Sequence, residues 1–248
     1  MQAVRISGRS RGTIGFTLVE LLVSITIIAL LASVLFAVSR GALAKALDAK
    51  CISNLRALSV GMTSYAADWG YWPSQNRETP TNPEVYGSQP WYYSLIVQNY
   101  IPTKAVKRGG YDCLVSDVLA CPANKANPGY RYAWTSSPFP WTSSYAINQF
   151  WGDHYGTPLL IEGTIDRVRF PAGVSNPSAI MLVDSLQGST MYVGNNADWN
   201  KASCTIPRNL HGYGAHALLA NGSVISISPQ SHPDLATLQN WDPRYTHP

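Results

Sequence analysis

The sequence predicts an α+β protein, with a long N-terminal helix packed on a C-terminal antiparallel β-sheet domain. Three observations carry that expectation. Residues 16–69 hold no proline and only two glycines, Gly41 and Gly61. Beyond them come short aromatic and β-branched segments separated by Gly, Pro, Asn and Ser clusters, the pattern of strands and turns. Near the C-terminus Asn221-Gly222 interrupts "HALLANGSVISIS", a strong short hairpin signal, and implies a type I′ turn with positive φ at both central residues.

The first half of the helix is apolar throughout. Between Arg11 and Arg40 the only charged residue is Glu20. Residues 16–38 would extend roughly 34 Å at about 1.5 Å per residue, enough to cross a bilayer. Arg5, Arg9 and Arg11 precede the span with no acidic residue among them, which favours a cytoplasmic N-terminus and places the rest of the chain outside. A cleavable secretory signal would have a shorter apolar core followed by small residues. Here the small residues "TIG" come before the run. A simple signal anchor fits length and charge but has no use for Glu20. A carboxylate in hydrocarbon costs a few kcal/mol or more, so it marks a function and a partner.

The second half changes character. Leu43, Leu47, Cys51, Leu55, Leu58, Met62, Tyr65 and Trp69 recur at spacings of three and four, one face of a helix, with Lys45, Asp48, Lys50 and Arg56 elsewhere. That stripe is expected to pack on the protein's own sheet. "DWGYWP" ends it, with Gly70 as the stop and Pro73 preventing continuation.

In the remainder, residues 74–90 are polar and proline-rich, a surface loop. "WYYSLIVQNYI" (91–101) reads as a short amphipathic helix. "YRYAWTS", "SSYAINQFW", "IDRVRFP" and "SAIMLVDS" are strand candidates, and "DVLACPANK" puts Cys121 at a turn before Pro122.

Composition excludes several classes. At 46% hydrophobic and 13% charged, the chain is not a disordered one. The net charge of +4 lies in the N-terminal arginines, and setting those three aside leaves basic and acidic residues nearly balanced, no footprint for nucleic acid. Nucleophile-elbow, phosphate-loop and dinucleotide fingerprints are absent from the sequence, and no enzyme is expected.

"GFTLVELLVSITIIALL" resembles the N-terminal processing and methylation segment of type IV prepilins and type II secretion pseudopilins. The resemblance implies cleavage after Gly15 by a prepilin peptidase, N-methylation of Phe16 by the same enzyme, and pairing of Glu20 with the N-terminal amine of a neighbouring subunit. Downstream, "CISNLRALSVGMTSYAADWGYWP", "LACPA", "SSYAIN", "PSAIMLVDS" and "RNLHGYGAHALLANGSV" resemble a large bacterial pilin-like family named for a C-terminal His, nine residues, then Asp-Gly. His211 and Asn221-Gly222 fit that spacing with Asn in place of Asp, which keeps the turn and loses a carboxylate.

The resemblance implies a basic leader over residues 1–15, a transmembrane and assembly segment over 16–38, an amphipathic helix over 39–70 and a globular head over 71–248. It implies a structural subunit of a type IV pilus or type II secretion pseudopilus. The expected location is the bacterial inner membrane, single-pass, with the head periplasmic until assembly. Expected partners are the peptidase, an inner-membrane assembly platform, membrane lipid, further copies and other pilin-like subunits. A minor pilin or adhesin-like binding module is the alternative, with a membrane-anchored enzyme behind it.

An oxidising periplasm favours pairing among Cys51, Cys113, Cys121 and Cys204. Cys113 and Cys121 enclose a short loop and are the expected pair, with Cys51 left as a core thiol or paired with one of the others. None of the four has zinc-ligand spacing.

His211 and His216 are candidates for a metal or catalytic pair, but a spacing of five across a glycine-rich loop favours a histidine that steadies the hairpin. "VGNNADWNK" clusters the oxygens of Asn195, Asn196, Asp198 and Asn200, with Asp184 as a further donor. Calcium takes six to eight oxygens, often several carboxylates, so a turn is the favoured reading and no metal or cofactor is expected. Asp153-His154 is read as surface loop.

Overall fold

The computed structural model describes residues 16–73, 90–108, 111–125, 143–148, 151, 176–186, 190–191 and 197–242. The strand candidates at 130–136 and 165–171, Gly15, Asn195, Asn196 and Asp153-His154 lie outside them. The chain divides into two units, residues 1–43 and 44–248.

Helix α1 runs Leu18–Trp69, through Gly41 and Gly61, and ends where the amide of Gly70 (φ 74°) meets the carbonyl of Ala66 at 2.9 Å. Its first-unit portion exposes Leu18, Leu22, Ile25, Ile28, Leu31 and Leu35 among others, and by length and composition it can cross a membrane. The hydroxyls in this stretch bond to the helix's own backbone. Ser24 donates to the Glu20 carbonyl, Thr26 to Val23 and Ser33 to Leu30, at 2.7–2.8 Å. No hydroxyl among those three is left for lipid to satisfy.

Of the predicted stripe, Cys51, Leu55, Leu58, Met62 and Tyr65 are buried in the second unit, while its two ends, Leu43 and Trp69, are exposed and do not join the core. Each such aliphatic side chain contributes roughly 1.5–3 kcal/mol by leaving water. They pack on a five-stranded sheet of order β5-β3-β4-β6-β7. Its strands are β3 (Tyr145–Asn148), β4 (Ile180–Asp184), β5 (Thr190–Met191), β6 (Ala215–Leu219) and β7 (Val224–Ile227), antiparallel except for β3 with β5. Period-two alternation sends Tyr145, Ile147 and Leu218 to the helix face, while an irregularity between Ile180 and Leu182 of β4 turns Met181 and Leu182 to that same side. Ala146, Ile180, Val183, Ala217 and Ile227 face a second layer with Trp199, Leu235 and Trp241. Covered on both sides, β4 and β6 are buried along their whole length.

Helix α2 (Tyr93–Val97) falls within the expected segment, and α3 (Leu238–Trp241) lies near the C-terminus. Strands β1 (Lys104–Arg108) and β2 (Tyr111–Val115) form a separate antiparallel pair.

Two expectations are corrected. The hairpin turn is not type I′. Asn221 does not have positive φ, Gly222 does (84°), and the amides of Gly222 and Leu219 bond to the carbonyls of Leu219 and Ser223 respectively. This is the three-residue loop in which a type I turn precedes a left-handed glycine. The Asn221 side chain accepts from the Ser223 amide and hydroxyl (2.9 and 2.6 Å), and the Asn221 and Ala220 amides donate to the carbonyls of Pro177 and Ala179. Those bonds fix Asn221 in the type I conformation.

The second correction concerns the disulfide. Cys121 is joined to Cys51, not to Cys113. The short turn Asp117–Leu119 before Cys121 is docked on α1, because Asn54 donates to the Ala120 carbonyl at 2.8 Å from one helical turn beyond Cys51. Cys113 sits in β2 opposite Val106. Cys204 is a free, half-buried thiol.

Candidate functional site

The first candidate region is the start of α1. Thr17 precedes the helix and Glu20 is its third residue. The Glu20 carboxylate accepts from the Thr17 amide (2.9 Å) and hydroxyl (2.8 Å), while the Glu20 amide approaches Thr17 Oγ1 at 3.3 Å. This reciprocal capping box satisfies helix-end donors that hydrocarbon would leave bare. The local sequence Thr-Leu-Val-Glu is itself the signal for such a box, a second role for Glu20 beside its charge. Phe16 is highly exposed ahead of it.

The second region lies wholly in the head. Asp184 ends β4 and shares a face with Leu182. His216 shares the helix-facing side of β6 with Leu218. Asp48 lies on α1, three residues before Cys51. The loop between, residues 210–214, folds back so that the Leu210 and His211 amides both point to the Gly214 carbonyl (2.9 and 3.3 Å). Gly214 is required by close approach, since a Cβ there would lie 2.0 Å from the Ile227 carbonyl oxygen. The loop thereby delivers His211 and Tyr213 to His216.

The resulting cluster is dense and mostly buried. Asp184 Oδ2 accepts from the His216 amide at 2.8 Å and lies 3.1 Å from His211 Nε2. Asp48 Oδ1 is 2.6 Å from His216 Nε2 and accepts from the Tyr213 hydroxyl at 2.9 Å. It is also 3.1 Å from His211 Nδ1, yet that nitrogen, buried, makes no hydrogen bond because the contact lacks the alignment for one. The imidazole rings of His211 and His216 are 4.2 Å apart. Ser226 Oγ approaches His216 Nδ1 at 3.5 Å, and Cys121 Sγ lies 3.8 Å from His211 Nε2.

Electrostatics follow the contacts. Desolvation pushes the Asp48 carboxyl up, but hydrogen bonds from His216 and Tyr213 and the attraction of both imidazoles outweigh it and hold it below its ordinary value. Desolvation, reinforced by Asp48 and Asp184, raises the Tyr213 hydroxyl. Tyr145, paired across from Asp184, is raised for the same first reason.

His211 does sit in a hydrogen-bonded loop beside the hairpin, and His216 joins it. Asp48, Asp184 and Tyr213 complete the cluster. The sequence offered two hints of them, a carboxylate one turn from the buried stripe and another closing the buried run "IMLVD". Asp198 is spent on a turn, its carboxylate accepting from the Asn200 amide at 2.9 Å, and Asp184 belongs to the histidine cluster.

Residues 11–36 match the family model described as the prokaryotic N-terminal methylation motif. Comparison with curated proteins and with solved structures gives no match.

Proposed function

We propose that the chain is a pilin-like structural subunit, cut after Gly15 by a prepilin peptidase, N-methylated at Phe16 and assembled through α1 into a type IV pilus or a type II secretion pseudopilus. The observation that carries this reading is the methylation motif over residues 11–36, placed at the start of a helix long and apolar enough to span a membrane, with Glu20 the one charge between Arg11 and Arg40. Cleavage creates an ammonium on Phe16. A carboxylate from a neighbouring helix neutralises it where the dielectric is low and an unpaired charge is costly. The arginines hold the leader in the cytoplasm, so the head is periplasmic. The role is structural rather than enzymatic.

The test is the mass of the N-terminal peptide from purified membranes, together with in-membrane crosslinking of Glu20→Gln. A peptide starting at methylated Phe16 is expected. Glu20→Gln should insert and be processed normally but lose subunit crosslinks, since breaking a buried pair costs about 3–5 kcal/mol. A wild-type peptide starting at Met1, or equal crosslinking at equal protein, refutes the proposal.

A further inference from the structure

We propose that Asp48, His211 and His216 form a binding site for one divalent first-row transition-metal ion, of which zinc is the simplest fit, tying α1 to β6 and the 210–214 loop. Each offers one ligand atom, all three within 4.8 Å of one another, and Asp48 Oδ1 lies 3.1 Å from His211 Nδ1 and 2.6 Å from His216 Nε2. Donors at about 2.0–2.2 Å from a tetrahedral ion sit roughly 3.3–3.5 Å apart. The 3.1 Å contact between Asp48 and His211 is close to that spacing, and the 2.6 Å contact with His216 needs to open by about 0.7 Å. Asp48 can supply this by rotation, because its side chain is 26% exposed.

The buried Nδ1 of His211 is the strongest indication. A carboxylate only accepts, so the bond to Asp184 Oδ2 places the ring proton on Nε2 and leaves a lone pair on Nδ1. That lone pair lies 3.1 Å from the Asp48 carboxylate oxygen with no proton between them. No hydrogen bond bridges the two. A cation placed between the convergent donors resolves the contact.

The surroundings are those of a metal centre. A ligating histidine normally donates its other N–H to a carboxylate, which fixes tautomer and orientation, and Asp184 does this for His211. His216 bonds Asp48 through Nε2–H. On binding, the ring would take the other tautomer, with its proton on Nδ1 donating a hydrogen bond to the Ser226 hydroxyl oxygen 3.5 Å away, so the ring stays neutral. Asp48 and Asp184 then balance the two positive charges. Tyr213, 42% exposed, has its hydroxyl 2.9 Å from Asp48 Oδ1 and 3.2 Å from His216 Nε2, marking the solvent side and a fourth position for itself or a water. The nearby sulfurs are bonded to each other and offer no thiolate. Two imidazoles and one carboxylate favour zinc, copper(II) or nickel over magnesium or calcium.

This inference concerns the head alone and does not depend on how the N-terminus is processed. The test uses the full chain in detergent micelles, stripped with chelator and titrated with cobalt(II), then zinc. One cobalt per chain with visible ligand-field bands, displaced by one zinc, is expected. Asp48→Asn and His216→Gln should abolish the bands while keeping the near-ultraviolet circular dichroism. Asp184→Asn should weaken binding about 10- to 100-fold. X-ray absorption of the wild-type zinc form should show two imidazole nitrogens and no sulfur, a reading independent of whether any variant folds. Failure of the wild type to bind, bands unchanged in both ligand variants, or a shell without two imidazoles overturns the proposal.

Discussion

Removing the Cys51–Cys121 bond should be the most damaging single covalent change to the head. The bond spans 70 residues of sequence, and it joins α1 to the turn that follows β2. In the chain-entropy treatment, closing a loop of that length destabilises the unfolded chain by about 4 kcal/mol at 25 °C. For a unit of 150–250 residues, each kcal/mol moves the melting temperature by roughly 2–4 °C. The expected loss is therefore about 8–16 °C. The assay is thermal unfolding by circular dichroism in detergent, comparing the wild type, the wild type unfolded and refolded under reductant, and Cys51→Ala/Cys121→Ala. Reduced wild type keeps both sulfurs in place, so its loss reports the cross-link, and the further loss in the double variant reports the packing of two buried side chains. Native protein should resist reductant for as long as it stays folded, because both cysteines are almost fully buried. A melting temperature within about 2 °C of wild type after reduction refutes the reasoning, as does non-reducing peptide mapping that links Cys121 to Cys113.

Two more expectations follow from the same unit. Gly214→Ala should cost at least about 3 kcal/mol in urea unfolding, because the new methyl meets a backbone oxygen that cannot turn aside; a loss under about 1 kcal/mol would show that the loop yields freely. Asp48 is held below its ordinary carboxyl range, so it contributes stability above its unfolded pKa that is lost as pH falls through the lower folded value. Melting temperatures measured in chelator should therefore fall more steeply below about pH 4 for wild type than for Asp48→Asn, and parallel acid limbs would refute that assignment.

Helix α1 was legible because its apolar positions keep a 3.6-residue period for most of its amphipathic half, and Gly70 marks its end. Strands β4, β6 and β7 were legible as apolar runs flanking turn residues. Strands β1 and β2 were not, since "KAVKR" and "YDCLV" form a two-stranded ribbon without a continuous apolar face. Strand β5 is two residues long, too short for any period. The turn type was misjudged because the amides of Ala220 and Asn221 are claimed by carbonyls of residues 177–179, distant in sequence. The disulfide was misjudged for the same reason: closeness along the chain favoured Cys113, and docking of the 117–121 turn on α1 favoured Cys51. His211 was singled out, but its contacts were not legible, because Asp48 and Asp184 come from a helix and a strand far upstream.

The Thr17–Glu20 box bears on how subunits would enter and leave an assembly. A solitary subunit does not carry a naked carboxylate in the bilayer, since Thr17 already supplies two hydrogen bonds to it. In the proposed assembly, an arriving ammonium would therefore compete with an occupant rather than fill a void. The gain on docking is the difference between a charge pair and this internal arrangement, smaller than the pair alone. On departure the carboxylate would return to Thr17, leaving the separated subunit no need to find a substitute partner. In the proposed assembly, the electrostatic part of attachment and detachment would be one exchange at Glu20.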